Sequence, residues 1–307
     1  MFQKSVKRDI KSNQFQFLAE SFKIWMETLG YKPETVKLNH RNIQEFMAHL
    51  ETQNITKLKD FENKHANLFL EHLQHRPNQN RGGSLKAGFI NKYITALRLF
   101  SKYLQQSGKA NITIKPELLK TTETATYLNK TEIKQLYKAA KEETNPYNLR
   151  DTAILSIYYG CGLRASEGAA LNVNDLLMEK NLVYVRKGKN YKERYVPISK
   201  QVKSDLKNYL TNQREDILNG GNSQALFLSR NGNRLAVHSI YQRLQWMKKQ
   251  TNNEVLKKKS FGLHILRHSI ATHLLQDGMK LELISQFLGH KSLETTQKYT
   301  HLVNETV

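Results

Sequence analysis

Side chains suited to chemistry at a phosphate are concentrated near the C-terminus. His264 and Arg267 are three residues apart and His268 follows, so at least the first two can share one face of a helix. His290 comes after a Leu-Gly pair that is typical of a helix end, and Tyr299 follows it. An arginine offers paired donors to phosphate oxygens, a histidine donates hydrogen bonds or relays protons, and a tyrosine hydroxyl can attack. This set would need no metal.

The same residues allow two other interpretations. A histidine pair four residues apart can bind zinc, but no glutamate stands between His264 and His268 in the zinc-protease pattern. The positive charge of Arg267 would also repel a metal ion. Taken alone, His273 is an ordinary helix residue, and Tyr299 is one of 14 tyrosines and a packing residue. Only the combination of these types favours a phosphate site.

The charge of the chain indicates a polyanionic partner. The 307 residues, 39% of them hydrophobic, suffice for two domains, and the formal net charge is +21. Residues 1–115 hold 19 basic and 9 acidic side chains, which leaves them at +10 and the remainder at +11. Two basic domains suggest a nucleic acid gripped from more than one side. A generally basic surface is the alternative.

Cysteine content and hydropathy favour a protein of the cell interior. Cys161 is the single cysteine, which excludes an intramolecular disulfide framework and fits a reducing compartment, and we expect it to be a buried packing residue. The first 15 residues contain no apolar core of a signal peptide, and no run of about 18 apolar residues occurs. We therefore expect no membrane association.

The first third of the chain is predicted to be a small helical domain. A long amphipathic helix is predicted over 85–106, with Gly108 after its end and Lys86 and Lys92 outside its apolar side. Three shorter helices are predicted from apolar stripes at 15–26, 43–50 and 65–73. This domain is assigned to 1–112.

Helical periodicity is lost over 113–126, around Pro116, which predicts a linker to a second domain at 127–307. Asn129 with Glu132 resembles a capping box that starts a helix.

A later helix in the second domain runs into two glycines. Gly160 and Gly162 should break this helix and restart it, which places Arg164 near a new helix N-terminus, a position that favours anions. Local pairing of Arg164 with Glu167 is the alternative, because carboxylates and phosphates occupy the same guanidinium fork.

Residues 181–198 alternate apolar and polar side chains around a polar turn, which predicts a β-hairpin. Its tip carries Lys187, Lys189 and Lys192, which form either a solvated charged turn or a group that reaches a minor groove or a scissile phosphate.

After the hairpin, a helix over 199–218 and a short strand over 225–229 are predicted. Another helix near 237–249 carries Arg243 and Lys248, which suit DNA contacts or an ordinary polar face.

Four motifs in this order resemble the tyrosine site-specific recombinases, and among them the Xer-type and simple phage or transposon integrases. They are GLRASE, KERYVPI, HILRHSIATHLL and LGHKSLETTQKYTHL. The resemblance covers the chain from about Tyr127 to its end; the N-terminal region is similar to the family's core-binding domain in size, helicity and charge. It implies a mainly α fold with a small β-sheet, in which a helical, SAM-like core-binding domain precedes an α+β catalytic domain.

The resemblance also implies the roles of the catalytic residues. Arg164 and Arg267 would clamp the scissile phosphate, while His264 and His290 would bond its oxygens and assist proton movement. Tyr299 would attack the phosphorus and form a 3′-phosphotyrosyl intermediate. Because that bond preserves the phosphodiester energy, rejoining needs no ATP, and the chain has no GxxxxGK[ST] phosphate loop. No cofactor or metal is expected.

The hairpin would supply the general acid. Counting back from Lys192 in the KERYVPI motif assigns Lys189 as the donor to the leaving 5′-oxygen, with Lys187 as the alternative. Glu167 and His268 would support the site. The candidate DNA contacts are Lys86, Lys92, Lys187, Lys192, Arg243 and Lys248.

The expected partner is double-stranded DNA with short inverted-repeat core sites, bound by a homotetramer. Accessory proteins are a further class of partner. The expected location is the bacterial cytoplasm, at the nucleoid. Two alternative functions are a type IB topoisomerase, which uses similar residues to relax DNA, and a DNA-binding regulator whose site is idle.

Two features depart from the family pattern. Eight residues follow Tyr299, and this length argues against the exchange of a C-terminal helix between protomers. Gly168-Ala169-Ala170 replaces the bulkier residues usual after Glu167, which predicts looser packing there.

Overall fold

The computed structural model of the protein describes residues 9–78, 82–120, 127–186 and 193–289. The chain forms two compact units, Met1–Thr122 and Glu123–Val307, and most contacts between residues lie within one unit or the other. Each unit has its own hydrophobic core.

Amphipathic helices build the first unit. They are α1 (Asn13–Thr28), α2 (Pro33–Thr52), α3 (Asn63–His75) and α4 (Ala87–Gln106). The Ser12 hydroxyl caps α1 by accepting a 3.3 Å hydrogen bond from the Phe15 N–H, and Pro33 opens α2 at a position where its missing N–H costs nothing. Phe22, Phe46 and Phe69 are buried where the apolar faces meet.

Helix α4 confirms the predicted long helix, within two residues at its start. Its apolar stripe is buried, and Gly108 follows it in the left-handed region at φ 65°. Lys86 is the residue immediately before the helix, and Lys92 lies on its exposed side.

The first part of the predicted linker packs against α4. The Ser101 hydroxyl donates to the Ile112 carbonyl at 2.7 Å and accepts from the Ile114 N–H at 3.0 Å. The Asn91 side chain bonds both the N–H and the carbonyl of Leu119, at 2.8 and 3.0 Å. Ile114 is buried in the core of the first unit. Residues up to Leu119 therefore belong structurally to the first unit, because their polar and apolar groups find partners there.

The second unit is also mainly helical. Its helices are α5 (Lys130–Lys141), α6 (Asn148–Leu155), α7 (Ala165–Ala170), α8 (Lys200–Tyr209), α9 (Glu215–Leu218), α10 (Val237–Gln250), α11 (Glu254–Lys258), α12 (Leu263–Gln276) and α13 (Leu281–Leu288). The predicted capping box at the start of α5 is confirmed: Asn129 Oδ1 accepts from the Glu132 N–H at 2.8 Å, and Glu132 Oε2 accepts from the Asn129 N–H at 3.0 Å.

A small antiparallel sheet confirms the predicted hairpin and adds one strand to it. The strands are β1 (Leu176–Leu177), β2 (Leu182–Val185) and β3 (Arg194–Pro197), in the order β1-β2-β3. Val183 pairs with Val196, and both are buried, while Val185 pairs with Arg194. The hairpin tip, with Lys187, Lys189 and Lys192, lies outside the described residues.

Two predicted elements differ from the structure. Within the described residues, the run 225–229 forms isolated bridges instead of a strand, from Ala225 to Asn172 and from Leu228 to Arg234, because these two partners lie in different segments. The helix predicted over 199–218 is interrupted by a π-helical turn, Leu210–Arg214, between α8 and α9. Helix α10 agrees with its prediction within one residue.

Cys161 is fully buried, as predicted for a packing residue. Across the four described ranges, no helix combines the length and the apolar character needed to cross a bilayer.

Candidate functional site

Arg164 stands where the chain leaves one helix and starts another. A π-helical turn, Ser156–Gly160, ends the preceding helix, and Gly162 follows in the left-handed region at φ 60°. A Cβ atom at Gly162 would lie 2.7 Å from Leu288 Cδ2, so both the backbone angle and the space require glycine there. Helix α7 then begins at Ala165. The predicted break and restart is confirmed, and it leaves Arg164 at the start of α7.

Glu167 holds two arginines together. It accepts hydrogen bonds from the Arg164 N–H at 2.9 Å and from Arg164 Nη1 at 2.8 Å. Arg194, the first residue of β3, donates to both of its oxygens, at 3.1 and 2.9 Å. All three side chains are largely buried. Burial by itself would raise the pKa of Glu167, but the hydrogen bonds and charges of Arg194 and Arg164 outweigh it and lower that pKa to about 2. Glu167 is therefore an anion at neutral pH.

Arg267 is a buried cation on α12 with only 2% of its surface exposed. Its Nη1 donates to the Gly162 carbonyl at 2.6 Å and its Nη2 donates to the Leu288 carbonyl at 2.7 Å. Such contacts offset part of the cost of taking a charge out of water. Arg267 thereby joins the turn before Arg164 to the last residue of α13.

The end of α13 is where the arginines meet. Arg164 Nη2 donates to the Gly289 carbonyl at 3.1 Å, which is the carbonyl next along the chain from the one bonded by Arg267. Gly289 has φ 65°, and a Cβ atom there would lie 2.8 Å from Arg194 Cδ. The next residue, His290, and the predicted nucleophile, Tyr299, lie outside the described residues.

His264 stands close to this pair of cations. The pKa of His264 is lowered, mainly by partial burial of its ring and to a smaller extent by the charges of Arg267 and Arg164. The imidazole is therefore neutral at neutral pH. Its side chain nevertheless remains exposed to solvent. The ring of His268 lies edge-on to it, with 5.3 Å between ring centroids. Within the described ranges, no three side chains of His, Cys, Asp or Glu form a group that could hold a metal ion.

The assembled groups are suited to an anion. Two arginines whose guanidinium groups are fixed by hydrogen bonds, with a neutral imidazole nearby, can stabilise charge that develops on phosphate oxygens. Because the protein holds these groups in place beforehand, little reorganisation is needed when the charge appears.

The predicted DNA contacts Lys86 and Lys92 are exposed on the first unit. Lys92 Nζ lies 5.8 Å from the centre of the Phe89 ring.

The other two described candidates for DNA contact have internal partners. Arg243 donates to Asp151 Oδ2 through Nε at 3.0 Å and to Asn145 Oδ1 through Nη2 at 3.0 Å. Asp151 is fully buried, so Arg243 neutralises a charge inside the second unit. Lys248 is 9% exposed and donates to the Lys259 carbonyl at 2.9 Å. These contacts give both side chains a structural role.

Gly168 corrects the expectation of looser packing after Glu167. A Cβ atom at this position would lie 2.6 Å from Cζ of Tyr158, whose fully buried ring occupies the space. The Tyr158 hydroxyl donates to the Ala165 carbonyl at 2.9 Å. The small residue is therefore matched by a large one from the preceding helix, and the packing is close.

Arg194 is the site residue that sequence reasoning did not single out. Its position within KERYVPI, beside the predicted hairpin lysines, was the available signal. Its partner Glu167 lies 27 positions earlier in the chain, so nothing local indicates the contact.

An open groove of about 1400 Å³ elsewhere in the second unit is lined mainly by apolar surface, including Tyr137, Val202 and Leu274. Arg164, His264 and Arg267 are not among its lining residues. We therefore place the candidate site at the arginines and not in this groove.

Comparisons with known proteins show the family of the chain. Residues 126–306 match the phage integrase family. The chain is 29% identical to tyrosine recombinase XerC of Oceanobacillus iheyensis over 303 residues, which cover 95% of this chain and 94% of that one. It is 31% identical to tyrosine recombinase XerD of Pseudomonas aeruginosa over 284 residues, 91% and 90% of the two chains. Among solved structures, the XerH site-specific recombinase bound to palindromic difH substrate has a similar fold, with a TM-score of 0.74 at 20% identity over 98% and 96% of the chains.

Proposed function

The chain belongs to the phage integrase family and is a tyrosine recombinase, an enzyme of site-specific DNA recombination, and we propose that Tyr299 is its nucleophile. Tyr299 attacks the scissile phosphorus, the bond to the 5′-oxygen breaks, and the protein is joined to the 3′-phosphate. A 5′-hydroxyl of the partner strand then attacks this phosphotyrosine and releases the tyrosine. Each step exchanges one phosphodiester for another, so ATP is not required.

Arg164 and Arg267 bind the non-bridging oxygens of that phosphate. The observation that carries this proposal is their convergence on the adjacent carbonyls of Leu288 and Gly289, although Arg164 and Gly289 are 125 positions apart in the chain. Loss of one preorganised donor of this kind typically costs roughly 10²–10³ in rate.

Proton transfer is assigned to the histidines and to the hairpin. A free tyrosine has a pKa of about 10, so attack at neutral pH requires removal of its proton or cationic surroundings. His264, neutral beside two arginines, and His290 bond the phosphate oxygens and assist this transfer. Lys189 protonates the leaving 5′-oxygen, with Lys187 as the alternative donor.

The DNA is held by both basic units. Lys86 and Lys92 on the exposed side of α4 and the hairpin lysines contact its phosphates. The solved XerH complex contains a palindromic substrate, and we carry this property to the present chain as short inverted-repeat core sites. An inverted repeat offers one half-site to each of two protomers, so two sites paired for strand exchange would be bound by a homotetramer. The site of action is the bacterial cytoplasm, at the nucleoid.

The test is covalent capture on nicked suicide DNA. The core site is first identified by selecting bound sequences from a random duplex library. Wild-type protein is expected to form a covalent protein–DNA adduct on a nicked duplex with this site, and Tyr299→Phe is expected to bind the duplex but form none. Tyr195→Phe is the matched control, because Tyr195 is an exposed tyrosine on β3, and its adduct should persist. An adduct that survives Tyr299→Phe would overturn the assignment.

Strand exchange is tested separately from cleavage. The enzyme is expected to resolve a synthetic Holliday junction that contains two core sites into recombinant products. Relaxation of supercoiled DNA without junction resolution would instead indicate a topoisomerase.

A further inference from the structure

Arg194 connects three parts of the candidate site. It begins β3, both of its terminal nitrogens bond Glu167 of α7, and its side chain lies against Gly289 at the end of α13. Its side chain is only 11% exposed.

The contact of Arg194 with Glu167 is more than a surface ion pair, because Glu167 also binds Arg164. The carboxylate that accepts from Arg194 also accepts the backbone N–H and the Nη1 of Arg164. A largely buried carboxylate needs compensating charge, and Arg194 supplies part of it together with Arg164. The fork of Arg194 therefore holds Glu167 as an anion in the orientation that Arg164 requires.

Close packing at Gly289 adds a second constraint. Arg194 Cδ, Nε and Cζ occupy the region where a side chain at residue 289 would begin, at 2.8, 2.9 and 3.1 Å from that Cβ position. Gly289 also presents its carbonyl to Arg164 and directly precedes His290. Movement of Arg194 would therefore shift both Arg164 and the turn at Gly289.

We propose that Arg194 is a positioning residue for strand cleavage, which orients Arg164 through Glu167 and supports the turn that leads to His290. This inference rests on the proposed function, in which Arg164 binds the scissile phosphate. Arg194 itself is not assigned a contact with the DNA.

The test compares two arginines of the same hairpin. Arg194→Met removes the charge and keeps most of the stem. Arg186→Met is the matched control, since Arg186 follows β2 and pairs with Asp175 at 2.6 Å and the Ala170 carbonyl at 2.6 Å instead of with Glu167. Single-turnover cleavage of the suicide duplex, the dissociation constant for intact duplex and thermal unfolding are measured for each.

Arg194→Met is expected to slow cleavage about 10- to 100-fold, the size of effect that misplacement of a binding group by about 1 Å produces. The dissociation constant should change less than about threefold, since most affinity comes from phosphate contacts elsewhere. Arg186→Met should remain within about threefold of wild type in both measurements. Arg194→Lys, which keeps the charge but loses the bidentate fork, should recover part of the rate.

The pH profile separates positioning from simple stabilisation. Without Arg194, the pKa of Glu167 should rise, and a protonated Glu167 cannot accept both bonds from Arg164. The deficit of Arg194→Met should therefore be larger at pH 5 than at pH 8. In the double variant with Glu167→Gln, which cannot titrate, the added loss at pH 5 should disappear. The double variant removes the buried carboxylate that Arg194→Met would leave with Arg164 as its one arginine partner, so it keeps the test open if Arg194→Met fails to fold.

Wild-type cleavage rates in folded Arg194→Met, or in the double variant, would overturn the inference. The inference would also be overturned by a deficit of Arg194→Met that is the same at pH 5 and pH 8 and that is matched by the variant's loss of folded protein. Failure of the proposed function is distinguishable, because it would appear as an adduct in Tyr299→Phe or as no adduct in the wild type.

Discussion

Arg267 Nη2 donates a 2.7 Å hydrogen bond to the carbonyl oxygen of Leu288, which ties the middle of α12 to the last residue of α13. The other arm of the same guanidinium bonds the Gly162 carbonyl at 2.6 Å. Arg267, which is assigned to the phosphate, therefore also connects the turn at Gly162 to the end of α13. Binding and architecture are combined in one side chain, and substitutions there should affect both.

Arg267→Lys should weaken both properties. A lysine cannot reach two carbonyls with a planar fork, so at least one buried carbonyl loses its partner, at a cost of about 1–3 kcal/mol in the free energy of unfolding. Cleavage of suicide DNA should fall roughly 10²–10³-fold under conditions where the variant is folded. Urea unfolding and single-turnover cleavage measure the two effects.

Arg214→Lys is the control for Arg267→Lys. Arg214 is also buried and donates to the backbone carbonyls of Ser223 and Ala225, far along the chain from the phosphate site. This variant should lose comparable stability but cleave at nearly the wild-type rate per folded molecule. Equal losses of cleavage in both variants would mean that Arg267 acts only through stability.

The Glu167 carboxylate should contribute stability that depends on pH. Its pKa in the folded protein is lowered to about 2 from 4.5, so its contribution is fully present above about pH 4.5 and is lost as the pH falls towards 2. The full contribution is on the order of 3 kcal/mol. The difference in unfolding free energy between wild type and Glu167→Gln should shrink between pH 5 and pH 3.

Urea unfolding at several pH values measures this difference. Glu254→Gln serves as the control, because Glu254 forms an exposed pair with Lys257, and such pairs contribute little. A wild-type advantage over Glu167→Gln that stays constant across this range would contradict the assigned pKa.

Gly289→Ala should impair cleavage more than Gly278→Ala, although both glycines have a positive φ. Gly289 and Gly278 both have positive φ, 65° and 85°, so alanine at either costs about 1–2 kcal/mol. A Cβ atom at Gly278 meets nothing within 4 Å, whereas at Gly289 it would displace Arg194. Both variants should lose stability, but only Gly289→Ala should lose cleavage, by about tenfold or more. Equal cleavage in the two variants would contradict the described packing.

Removal of divalent metal ions should leave cleavage unchanged. Arginines, histidines and a lysine supply the charge stabilisation and proton transfer assigned to this site, so the chemistry requires no Lewis acid. Wild-type protein dialysed against EDTA should form the adduct at a rate within about twofold of the untreated enzyme. Loss of adduct that Mg²⁺ restores would show that the assigned groups are insufficient.

The sequence by itself determined much of this protein, because the decisive signals are local. Apolar periodicity predicted α4, the Asn129–Glu132 pattern predicted the start of α5, and alternation predicted the β2–β3 hairpin, since each depends on residues within one element. Spacing within short motifs also identified Arg164 and Arg267 as candidate phosphate-binding residues. The order of those motifs indicated the family, which the comparisons show.

Only the tertiary structure decided which of these side chains have internal partners. Arg243 looked suited to DNA on a polar helix face, but it pairs with Asp151, a buried carboxylate 92 positions earlier in the chain. The pairing of Arg194 with Glu167 likewise depends on where the hairpin meets α7. Contacts of this kind are set by the packing of distant elements, and a buried charge must be paired wherever that packing leaves it.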